Sequence, residues 1–137
     1  MVYLTRREYF NAAHKLWVED WSEEKNFSVF GKCANKNWHG HNYTLFVTVK
    51  GMPDPFTGFV VDAKILSEII KNEVVEELDH KNLNLDVEFI SPNTQPTTEN
   101  LVVMIWNRLS NKLPAACLLH AIKLYETENI YAEYFGE

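Results

Sequence analysis

The spacing of hydrophobic residues changes twice along this chain, and that change limits the folds open to it. Tyr43, Leu45, Val47 and Val49 recur at every second position and so fall on one face, the two-residue period of a strand with one buried face. Ile65, Leu66, Ile69, Ile70, Val74 and Leu78 then recur at helical spacing behind Asp62, a good N-cap. Leu101, Val102, Ile105, Trp106 and Leu109 form a second helical stripe. Thr97 caps it, Glu99 stands in its first turn, where the helix dipole favours an acid, and Pro114 lies past its end. A less regular strand comes first, over about residues 2–12, with Tyr3 and Tyr9 on one side and Val2, Leu4 and Phe10 on the other. Two more strands end the chain, over about residues 117–126 and 130–135. The polar, aromatic stretch through Trp17, Trp21 and Phe27 to Trp38 reads as a loop, and residues 79–84 as irregular.

The predicted order is β-β-α-α-β-β. This is an α+β domain: a four-stranded antiparallel sheet with two helices on one face. An open sheet of four strands leaves two unpaired edges, and two helices cannot close it. Association into a larger barrel removes the edges, so an obligate homo-oligomer is expected. The 137 residues suit a single domain.

A formal net charge of -6 argues against nucleic acid as a partner, because phosphate neutralisation needs clustered Lys and Arg. No stretch approaches the roughly 20 apolar residues that span a bilayer, so no membrane association is expected. The N-terminal segment has no apolar signal core. Cys33 and Cys117 are read as reduced thiols of a cytoplasmic protein.

The strongest local signal is Cys33-Ala34-Asn35-Lys36-Asn37-Trp38-His39-Gly40-His41. On a strand, residues i and i+2 face the same way, so His39 and His41 present two imidazoles side by side. Gly40 leaves the opposite face open for close packing. His14 ends the neighbouring strand, and antiparallel pairing brings it to the same face. Three imidazoles with an open position suit catalytic zinc. The plain alternative is three ordinary satisfied histidines, and a lone His-x-His is weak evidence against it. Cys33 is either a fourth ligand or a reactive thiol, with Lys32 and Lys36 near enough to favour thiolate. Cys117, at a strand start, reads as a small buried hydrophobe. Asp79 beside His80 can fix its tautomer, although adjacent loop residues often fail to touch. Glu126 ends the strand face of Leu118, His120, Ile122 and Leu124. It is a solvated strand end or an anchor for a guanidine-like ligand edge. His120 on that face reads as structural.

Together, Phe10-Asn11-Ala12-Ala13-His14, Phe30-Gly31-Lys32-Cys33, His39-Gly40-His41-Asn42-Tyr43, Leu78-Asp79-His80-Lys81-Asn82-Leu83, Pro96-Thr97-Thr98-Glu99-Asn100 and Tyr125-Glu126-Thr127 resemble, in order, the 6-pyruvoyltetrahydropterin synthase family. The resemblance implies the tunnelling fold: ββααββ subunits, trimers closing a barrel, two trimers stacked as a hexamer, and active sites at subunit interfaces. It implies Zn2+ held by His14, His39 and His41. It implies a catalytic set of Cys33, Asp79 and His80, the last two from a neighbouring subunit. It also implies Glu126 holding the pterin ring, with Glu99 and Thr98 nearby. The implied substrate is 7,8-dihydroneopterin triphosphate; Lys32, Lys36 and Arg6 are candidate triphosphate contacts. A sister enzyme of queuosine synthesis cleaves the side chain of the same substrate, giving 6-carboxytetrahydropterin and acetaldehyde, and typically has its cysteine closer to the His-x-His. The spacing of Cys33 from His39 is more similar to the pyruvoyl branch. Trp38 departs from the small residue expected there in the animal enzymes. A non-catalytic pterin-binding member of the same fold is the further alternative.

Overall fold

A computed structural model describes residues Met1–Glu137. The chain runs β1 (Val2–His14), α1 (Glu23–Phe30), a 3-10 turn (Gly31–Ala34), β2 (His39–Gly51), α2, β3 (Lys81–Asn82), α3 (Thr98–Leu109), β4 (Leu118–Thr127) and β5 (Ile130–Tyr134). Helix α2 consists of Ala63–Ile70, a wider π-helical turn at Lys71–Val75, and Glu76–Leu78. The strands form one sheet in the order β3-β1-β2-β4-β5. β1 and β2 pair antiparallel over their whole length, from Val2 opposite Gly51 to His14 opposite His39.

One face of the sheet carries the core. Phe10, Tyr43, Leu45, Val47, Val49, Ile122 and Leu124 meet Leu66, Ile70, Val74 and Leu78 of α2 and Leu101, Ile105 and Leu109 of α3. These are the residues of the period-two and helical stripes, and each fully buried aliphatic side chain contributes about 1.5–3 kcal/mol. Side-chain caps fix the helix starts. The Asp62 carboxylate accepts from the Lys64 amide and the Thr97 hydroxyl from the Asn100 amide. The other face bears no helix and exposes Tyr3 and Tyr9. No helix is long and apolar enough to cross a membrane.

Four features correct the sequence reading. First, β1 runs past the expected end near residue 12 to His14, while β2 carries His39 and His41 as expected, because the backbone ladder continues where the side chains turn polar. Second, the expected loop between them holds α1. This helix buries only Asn26, whose amide group bonds the Val18 carbonyl and amide, at 2.9 and 2.8 Å, and the Ser22 carbonyl. A helix pinned by a polar residue has no apolar stripe to announce it. Third, Lys81–Asn82 adds a fifth, parallel strand beside β1, so that edge of the sheet is short. Fourth, a bulge opposite Thr48 and Val49 breaks the β4 register. It turns His120 away from the Ile122 and Leu124 face, against Tyr3 and Phe135.

Candidate metal centre and active site

The pairing of His14 with His39 fixes the site. Both side chains leave the core face of the sheet, and His41 joins them two residues along β2. Ring centroids lie 4.5 Å (His14–His39), 5.0 Å (His39–His41) and 5.1 Å (His14–His41) apart. One nitrogen from each ring comes within 4.8 Å of the other two. On the opposite face, a Cβ at Gly40 would sit 3.1 Å from the Ala12 carbonyl oxygen, so the glycine lets the two strands close up behind the histidines.

The hydrogen bonds of these rings are unusually incomplete. His14 Nδ1 lies 2.8 Å from the Pro96 carbonyl oxygen. A carbonyl only accepts, so Nδ1 carries the ring proton and Nε2 keeps its lone pair. That Nε2, both nitrogens of His39 and Nε2 of His41 are buried without a hydrogen-bond partner. Buried polar groups are normally satisfied, and uncharged imidazole nitrogens converging on one point suit a divalent metal. Burial pushes all three histidines below their ordinary pKa, and the nearby Glu126 carboxylate only partly offsets it. The rings are therefore neutral near pH 7, as a ligand must be.

Glu126, at the end of β4, faces this cage. Its Oε1 stands 3.3 Å from His41 Nε2, without the angle of a hydrogen bond. Its Oε2 accepts from the Thr98 hydroxyl at 2.6 Å. Thr98 is buried on the first turn of α3, so α3 aims the carboxylate. Glu99, next along that turn, is exposed, and no hydrogen bond joins it to Glu126. Gln95 ties the approach to α3 to the segment after β1: its side chain accepts from the Trp17 amide and donates to the Trp17 carbonyl.

Cys33 lies in the 3-10 turn. Its carbonyl accepts from the Leu16 amide at 2.9 Å, which anchors the turn just past His14. Its thiol is partly exposed and stands outside the cluster of ligand nitrogens. Cys117 is free and buried, with its thiol pushed up by burial, as a small hydrophobe should be.

Asp79 and His80 do touch. His80 Nδ1 lies 2.9 Å from Asp79 Oδ2, while Asp79 Oδ1 accepts from the Asn11 amide. That amide bond, aided by His80, holds the Asp79 carboxyl below its ordinary range despite some desolvation. His80 has a left-handed backbone (φ 60°), uncommon for a residue with a Cβ and often found at functional sites. Its side chain is 76% exposed, and its one ion-pair partner within the chain is Asp79. Trp38 is also left-handed (φ 67°). The Lys15 ammonium sits between Trp38 and Trp17, 4.9 and 5.1 Å from their ring centres. Arg6 is engaged with Glu8 at 2.8 Å, whereas Lys32 and Lys36 are exposed beside Cys33.

Asp79, His80, His41 and Glu126 border an open concavity of about 960 Å³, whose lining also takes in Tyr9, Phe46 and Tyr125 but not His14, His39 or Cys33. It forms where β4 stops pairing with β2: Thr44 opposite Tyr125 is the last rung, so residues 39–43 run on past β4. Its lining includes Asn11, His41, Tyr43, Asp79, His80 and Glu126. Sequence reasoning missed the Pro96 carbonyl, the Gln95 clamp and the Asn11 amide. Two of these are backbone atoms, which no residue type reveals.

The family described as 6-pyruvoyl tetrahydropterin synthase matches residues 3–137. The 6-pyruvoyl tetrahydrobiopterin synthase of Drosophila melanogaster is 44% identical over 136 residues, covering 99% of this chain and 80% of the fly protein. That of Homo sapiens is 42% identical over 134 residues, covering 98% and 91%. The solved structure of Caenorhabditis elegans 6-pyruvoyl tetrahydropterin synthase superposes with a TM-score of 0.91 at 35% identity, covering 99% of this chain and 96% of that one.

Proposed function

The chain belongs to the 6-pyruvoyl tetrahydropterin synthase family, and from that premise we propose that it is a zinc-dependent lyase. It converts 7,8-dihydroneopterin triphosphate to 6-pyruvoyltetrahydropterin with loss of triphosphate. The observation that carries the reading is the cage of unpartnered nitrogens on His14, His39 and His41, set against a carboxylate that α3 holds in place.

Zinc held by those three histidines would supply Lewis acidity toward the hydroxyls of the substrate side chain. Everything else is done by the chain. Glu126 accepts hydrogen bonds from the 2-amino and N3 edge of the pterin, a donor pair that suits a carboxylate. Thr98 keeps Glu126 oriented. Cys33 removes protons from the side-chain carbons, and the Asp79–His80 pair returns them. The exposure of His80 within one chain fits a pair that reaches into the site of a neighbouring subunit, in a hexamer made of two trimers. Lys32 and Lys36, exposed near Cys33, are the candidate contacts for the triphosphate, and Glu99 and Thr98 are further candidates for contact with the pterin. The protein works in the cytoplasm, with both thiols reduced.

The test is incubation with dihydroneopterin triphosphate and mass analysis of the product. A product that retains the three-carbon side chain supports the reading. Release of acetaldehyde instead assigns the chain to the carboxy branch. Metal-loaded protein that binds pterin without turnover makes it a binding module.

A further inference from the structure

The buried side-chain nitrogens and oxygens without a partner belong to four residues: His14, His39, His41 and Tyr43. Tyr43 is fully buried. It follows His41 on the same face of β2, its ring centroid 5.7 Å from that of His41 and 6.4 Å from that of His14. It stacks on Phe10 at 4.8 Å and borders the concavity beside Glu126.

Leaving a buried hydroxyl without a partner destabilises a fold, and phenylalanine would fill the same volume without that cost. The packing of Tyr43 against Phe10 therefore does not account for its oxygen. The unmet hydrogen bonds of the histidines point to a ligand, and the unpartnered Tyr43 hydroxyl belongs to a ring packed beside two of them. We propose that the Tyr43 hydroxyl donates a hydrogen bond to the bound pterin and is a further substrate-contacting residue of the site. This rests on the pterin reading above. The phenol is a neutral donor, and it complements Glu126, which can only accept.

Tyr43→Phe tests the assignment, because it preserves the stack on Phe10 and removes only the oxygen. Metal content, thermal midpoint and neopterin affinity are measured on the metal-loaded wild type and variant. The expected result is unchanged metal content, a midpoint equal to or above wild type, and neopterin binding weakened at least tenfold. Affinity within twofold of wild type would overturn the proposal. So would a midpoint several degrees lower, since the hydroxyl would then be satisfied within the fold. Wild-type protein that fails to bind neopterin would sink the pterin reading itself, and this inference with it. A wild type that binds beside a variant that binds equally well sinks the inference alone.

Discussion

Each side chain of the site has its chemistry set by what does or does not touch it. Cys33 is close to the histidine cage through its backbone yet outside the ligand cluster. Cys33→Ala should therefore retain its metal, measured by atomic emission, while turnover falls by about 100-fold or more, the range for loss of a general base. A matching fall in metal content would make Cys33 a ligand. The histidines give a pH dependence with a defined sign. Burial lowers their folded-state pKa below the ordinary value of 6.5, so in that window the unfolded chain binds more protons than the folded one. Stability is then complete above about pH 6.5 and is lost as pH falls through the depressed values. Thermal melts of metal-free protein at falling pH should show the midpoint dropping, and His14→Gln should flatten that slope.

The elements that carry these residues are held by different forces. β1 and β2 are fixed by their ladder and by the alternation of the core face, whereas α1 depends on one polar side chain. Asn26→Ala removes the bonds to the Val18 amide and carbonyl and to the Ser22 carbonyl. It leaves those backbone groups to find water, at a cost of about 2 kcal/mol or more. Urea titration should show the lower midpoint. Proteolysis should nick first between β1 and β2, where α1 and the turn bearing Cys33 lie. At α3, Thr98→Val keeps the shape of the side chain and releases Glu126 Oε2. The expected outcome is a raised KM, with metal content unchanged, because the carboxylate proposed to hold the pterin is no longer aimed.

For the whole molecule, the decisive question is how one site is assembled. Within the chain, Asp79 and His80 bond to Asn11 at the outer edge of β1, and no hydrogen bond joins them to Cys33. Light scattering should report a hexamer, and a stable monomer would contradict the interfacial site. Complementation gives a sharper test. Cys33→Ala and His80→Ala should each be inactive. If the two residues of one site come from different subunits, co-refolding the variants in equal amounts restores about a quarter of the sites by random assortment in a closed oligomer. Sites built within one chain would recover nothing.

The sequence alone determined the parts of this protein that are periodic or chemically conspicuous. The alternation from Tyr43 to Val49 and the stripes behind Asp62 and Thr97 specified strand and helices, because burial of one face demands those periods. The His-x-His pair specified adjacent imidazoles, because a strand repeats every two residues. Tertiary structure alone decided what depends on partners distant in the chain. It set His14 against His39 by register, pointed the His14 Nδ1–H at the Pro96 carbonyl, and pressed Thr98 onto Glu126. It also bulged β4 at His120 and formed α1 around Asn26. Such contacts are made by backbone atoms or by polar groups from separate elements. They leave no periodic trace in the residues themselves, and only the folded chain brings them within bonding distance.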